Sequence, residues 1–72
     1  MSSLVPPLYI QRWSNNQVRL YWSANFPDVT LQYALFLAGP WANLNLPVNL
    51  EPPDFAVYDT IGPTNKFYRL IP

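Results

Sequence analysis

The chain has 72 residues, 50% hydrophobic and only 11% charged, with four basic residues balancing four acidic ones. That length fits one small domain over residues 1–72, which buries about 60% of its unfolded surface and has no room for a deep catalytic cleft. Zero net charge gives no counterion-release grip on nucleic acid and no pull toward an anionic bilayer. The absence of His and Cys removes disulfides, thiolate nucleophiles and ordinary zinc sites.

No stretch approaches the run of about 20 apolar residues that a membrane helix needs. Residues 1–7 have neither the basic start nor the long apolar run of a signal peptide. Nine prolines divide the chain and leave no interval long enough for an ordinary uninterrupted helix with helical periodicity. Between them lie short stretches rich in Val, Leu, Ile and aromatics, the pattern of strands.

The first predicted strand is residues 8–13, followed by a turn at Ser14, Asn15 and Asn16, where Asn tolerates left-handed geometry. The second, residues 17–22, alternates cleanly: Val18, Leu20 and Trp22 on one face, Gln17, Arg19 and Tyr21 on the other. That period of two marks a half-buried strand with the first set inward, and the pair reads as a hairpin. A third strand is expected over residues 29–35, with Leu31 inward and an ambiguous apolar end at Leu35, Phe36 and Leu37. After a turn at Ala38, Gly39 and Pro40, residues 41–44 form a brief edge strand. Residues 45–54 hold Pro47, Pro52 and Pro53 and read as an irregular crossover. Residues 55–60, with Val57 inward, and residues 66–71 complete about six strands, separated by a turn at residues 61–65. Short strands at this spacing predict an all-β, small antiparallel sandwich. The expected core is Leu8, Ile10, Val18, Leu20, Trp22, Leu31, Trp41 and Val57.

Several of these residues also carry a resemblance: Leu8, Ile10 and Arg12; Asn16, Val18, Leu20 and Trp22; Leu31 and Gln32; Pro40, Trp41 and Leu44; and the closing Phe67, Tyr68, Arg69 and Leu70. Taken in order, they resemble an immunoglobulin-like, fibronectin type III-like module found near the C-termini of large exported bacterial proteins, notably in planctomycetes and verrucomicrobia. The resemblance implies a sandwich with Trp22 in its core, no catalytic residues, and an extracellular or cell-surface role as spacer, anchor or adhesive unit. It also implies that the closing Phe-Tyr-Arg-Leu is the penultimate strand of that fold, so that one edge strand is missing. The expected open edge is Lys66, Phe67, Tyr68, Arg69 and Leu70. An unpaired edge invites completion by another strand.

Chemistry offers little else. A nucleophile would have to be Ser, Thr or Tyr activated by Lys66 or a carboxylate. Glu51 and Asp54 are three apart in a proline-rich segment, and Asp54, Asp59 and Glu51 lack an acidic calcium-loop signature. No enzymatic activity, metal or cofactor is expected. The twelve aromatics exceed what so small a core encloses. Tyr9 and Trp13 share a face of the first strand and can join Tyr21 and Arg19 in an exposed strip. Such a strip suits a protein contact or stacking against sugar rings. Arg69 is expected to pair with Asp59 or to stack on a tyrosine across the strands. The expected role is therefore a structural or interaction module that associates with itself, as an oligomer, filament or particle surface, or rests on a neighbouring domain. Carbohydrate binding is the alternative. A start at Met1 favours a free-standing subunit; the resemblance favours an exported module.

Overall fold

The computed structural model describes residues 5–62 and 65–72; residues 63 and 64, inside the expected turn at 61–65, lie outside it. The described residues contain seven strands and no helix: β1 (Tyr9–Ser14), β2 (Gln17–Ser23), β3 (Thr30–Ala34), β4 (Ala42–Asn43), β5 (Asn49–Glu51), β6 (Asp54–Thr60) and β7 (Phe67–Ile71). They form two antiparallel sheets, one of four strands in the order β1-β2-β6-β5 and one of three in the order β4-β3-β7.

Alternation along β2 sets the inner face. Leu20 and Trp22 point inward beside Val57 of β6, and Leu31 of β3 and Leu70 of β7 close on them from the other sheet. Leu8 and Val18 pack at the margin of this cluster. The indole N–H of Trp22 is buried with no acceptor among the described residues. An unmade hydrogen bond of this kind costs about 1–3 kcal/mol.

Four expectations are corrected. Residues 45–54 are not wholly irregular, because Asn49, Leu50 and Glu51 pair with β6 as an edge strand. Prolines flank this strand rather than interrupt it, which an edge tolerates. Asn15 and Asn16 do not use left-handed geometry, since no described non-glycine residue has positive φ. A register shift between Arg12 and Ser14 closes the hairpin instead, and the Arg12 guanidinium donates to the Asn15 carbonyl at 3.1 Å. Trp41 is only half-buried and lies outside the core, with the Arg69 guanidinium 4.3 Å from its ring centre. Ile10 is 56% exposed although it stands directly opposite Leu20, which is fully buried.

The position of β1 accounts for Ile10. Sheet pairing puts Leu8, Ile10 and Arg12 on the same face as Leu20, but the four-stranded sheet is one strand wider than its partner. Tyr68 of β7 reaches Asp59 of β6, so β7 lies over the β2–β6 side of the sheet and β1 overhangs it. No strand among the described residues covers the inner face of β1.

The loop between β3 and β4 exposes Leu35, Phe36 and Leu37, since β3 ends at Ala34 and no strand alternation turns any of them inward. Its turn closes with the Gly39 amide donating to the Phe36 carbonyl at 2.9 Å. Gly39 has φ +95°, and a Cβ there would lie 3.0 Å from the Trp41 side chain.

Candidate interaction site

Two antiparallel sheets have four edges, and three of these are blunted. β4 has two residues and β5 three, too short to template much pairing. β1 is longer, but the register shift after Arg12 breaks its ladder. β7 pairs with β3 in unbroken register over five residues, contains no proline, and has no second neighbour among the described residues. Its outward N–H and C=O groups form the longest regular edge left unpaired.

A groove of about 520 Å³ runs between this edge and the overhanging β1. Ile10, Arg12 and Val18 line it from the first sheet, Phe67 and Tyr68 from the start of β7, and Leu37, Trp41 and Ile61 from the flanking loops. The rim is markedly apolar: Leu37 is 73% exposed and continues into Phe36, which is 68% exposed. Contiguous exposed apolar surface of this kind marks contact sites more often than chance exposure.

Polar groups anchor the β7 side. Asp59 is buried between the sheets, where it accepts hydrogen bonds from the Tyr68 hydroxyl at 2.7 Å and from Lys66 Nζ at 3.1 Å. Burial, and then the Asp59 carboxylate, raise the Tyr68 phenol well above its ordinary range. Lys66 also lies 5.5 Å from the ring centre of Tyr33. Arg69 pairs neither with Asp59 nor with a tyrosine. It stands on the outer face of β7, donates to Gln32 at 2.9 Å and covers Trp41. Among the described residues, Arg12 meets no carboxylate.

The aromatic strip lies on the outer face of the four-stranded sheet. Tyr9 and Tyr21 stack with ring centres 5.3 Å apart, and the Arg19 guanidinium sits 4.4 Å from the Tyr21 ring centre. Trp13 does not join that stack. It meets Tyr58 edge-on at 5.2 Å, because β6 supplies Tyr58 opposite Arg19. Glu51 ties the strip together. It accepts from Arg19 at 2.9 Å and from the Tyr58 hydroxyl at 2.8 Å. The hydrogen bond from Tyr58, joined by that from Arg19, lowers the Glu51 carboxyl below its ordinary value despite some desolvation. The same bond raises the Tyr58 phenol. For Arg19, burial works against the charge, but the bonds to Glu51 and Tyr58 outweigh it and raise its pKa.

The reading from sequence missed Tyr58, Glu51 and Asp59 as partners in these networks. The period of two in β6 placed Tyr58 outward and Asp59 inward, and that alternation was the available signal. Glu51 carried none, since the four residues between Pro47 and Pro52 do not declare a strand.

The Glu51 and Asp59 carboxylates each hold a cation and a tyrosine, and Lys66 is paired rather than placed against a hydroxyl nucleophile. No group of three or more acidic side chains among the described residues is arranged to hold a metal ion. Compared with protein-family models, curated proteins and solved structures, the chain matches none of them.

Proposed function

We propose that the chain is a non-enzymatic interaction module that docks on protein, either another copy or a neighbouring domain, through the free edge of β7 and the apolar groove beside it. The carrying observation is Ile10: it shares the inner face with buried Leu20 yet stays 56% exposed, as a residue does under an unfilled strand position. We further assign the fold to an immunoglobulin-like, fibronectin type III-like sandwich. Constant-type immunoglobulin domains order one sheet A-B-E-D and the other C-F-G. The order β1-β2-β6-β5 follows the first, and β3 and β7 are neighbours as C and F are. The place of the last strand is then the groove beside β7. A module of exported bacterial proteins, and with it a location outside the cell, is what the resemblance then implies.

Light scattering across a concentration series tests the reading, with Ile10→Asp as the control. A mass that rises in defined steps and returns to monomer in Ile10→Asp supports association through this groove. Association that ignores Ile10→Asp and is instead lost in Trp13→Ala overturns the edge reading. A monomer at every concentration removes self-association and leaves docking on a different protein.

Carbohydrate binding is the second reading. Trp13 and Tyr9 are each about half exposed, at 53% and 52%, on one sheet face. Loss of glycan retention in a folded Trp13→Ala variant would favour it.

A further inference from the structure

Resting on the docking reading above, we infer that the groove takes a single extended strand from a partner protein, running antiparallel to β7, with an apolar residue over Ile10 followed two positions later by a carboxylate over Arg12. A second copy's β7 does not fit. Pairing β7 antiparallel to its own copy keeps both first sheets on one side and would bring the copy's overhanging β1 over β7, into the space that β2 and β6 already fill. The overhang is one strand wide, so the slot accepts a strand without a sheet attached. That is the geometry of strand addition, in which main-chain bonds give affinity and alternate side chains give specificity.

The direction follows from the register. β6 ends at Thr60 opposite Gln17, beside the pair Arg12–Val18, and the chain returns from that end into β7. β1 therefore runs toward the start of β7 and lies antiparallel to it. A strand antiparallel to β7 is parallel to β1 and meets Ile10 before Arg12. Inward residues recur every second position. The pattern selected is apolar-x-acidic, read from the N-terminus. Its chemistry matches the lining: Ile10 is apolar and exposed, and among the described residues Arg12 has only the Asn15 carbonyl as a partner. Across the slot the inward Tyr68 and the groove-lining Phe67 offer aromatic surface.

The test is an NMR titration of the dilute 72-residue chain with two synthetic peptides, Thr-Val-Thr-Val-Thr-Glu-Thr and the same sequence with Lys in place of Glu. The Glu peptide should shift amides of β7 and β1 and leave β4 and β5 unmoved. An exposed ion pair is worth about two- to five-fold in affinity. Arg12→Glu should weaken the Glu peptide at least that much and reverse the preference toward the Lys peptide. Arg12 is exposed on an edge strand, so this variant keeps the fold; Ile10→Ser gives an independent loss if it does not. Equal binding of both peptides to the native chain and to Arg12→Glu overturns the inference, as do shifts at another edge. If neither peptide binds but concentrating the chain alone shifts β7 and β1, a second copy fills the slot: the docking reading survives and this inference fails. If neither peptide nor concentration moves β7, this inference fails and self-association fails with it.

Discussion

Ile10→Thr and Leu20→Ala make a matched pair, because the two residues face each other across β1 and β2 and point to the same side. Their burial differs completely, 56% exposed against 0%. Leu20→Ala removes core volume and should cost about 2–5 kcal/mol. Fully burying an Ile side chain is worth about 1.5–3 kcal/mol, so with four-tenths of it hidden the whole contribution of Ile10 is about 0.7–1.3 kcal/mol. Threonine keeps the β-branch that strands prefer, so the substitution reads burial and little else. Ile10→Thr should therefore cost under about 1 kcal/mol. A domain of this size holds roughly 4–11 kcal/mol in total, so Leu20→Ala removes a large share of it. Urea unfolding followed by tryptophan fluorescence measures both losses, provided the denaturant slope stays constant between variants. A loss of 2 kcal/mol or more for Ile10→Thr would mean that its face is covered in the free chain, and the reasoning about an unfilled strand position would fall.

Trp22→Ala should cost about 3–5 kcal/mol, whereas Trp22→Phe should cost much less. The smaller ring loses volume but also removes the buried N–H that has no acceptor. Equal losses in the two variants by urea unfolding would contradict this. Asp59→Asn should cost about 1.5–3 kcal/mol, because it weakens charge-assisted bonds to Lys66 and Tyr68 between the sheets; a neutral result in the same assay would refute the network. The lowered Glu51 carboxyl favours the fold fully above its ordinary value of 4.5, and that contribution fades as pH falls through the lowered value. Thermal unfolding from pH 6 to pH 2 should thus show a shallower acid decline in Glu51→Gln, and an unchanged profile would refute this. Tyr68 behaves oppositely. Its raised phenol favours the fold below its ordinary value of 10, and the contribution is lost as pH rises above that. Tyr68→Phe should flatten alkaline unfolding; an equal alkaline decline would count against a buried phenol.

The strands with clean alternation were readable from the chain. Val18, Leu20 and Trp22 declare an inner face by spacing alone, and the structure buries Leu20 and Trp22 with Val18 at the margin. Ile10 has the same local signature, yet its exposure depends on how many strands the opposing sheet contains, which no local pattern encodes. Trp41 has no alternation of its own to fix its face. Its real place follows from Arg69, whose guanidinium covers the ring on the outer face of the sheet. The outer strip was half legible: Tyr9 and Tyr21 follow from alternation and pairing. Trp13 meets Tyr58 because β6 lies on the other side of β2, a non-local neighbour relation. β5 is held by pairing with β6 rather than by propensity, so its three residues gave no signal of their own.

Hydrogen exchange at the β7 amides of the dilute chain reads the free edge itself. An edge strand bonds one neighbour, so its amides alternate between those donated inward to that strand and those facing out. The β7 amides bonded to β3 should exchange slowly and the alternate ones fast, with slow exchange throughout β2, which has β1 on one side and β6 on the other. Continuous protection along β7 in the dilute chain would mean that its outer edge is already paired, and would contradict the account.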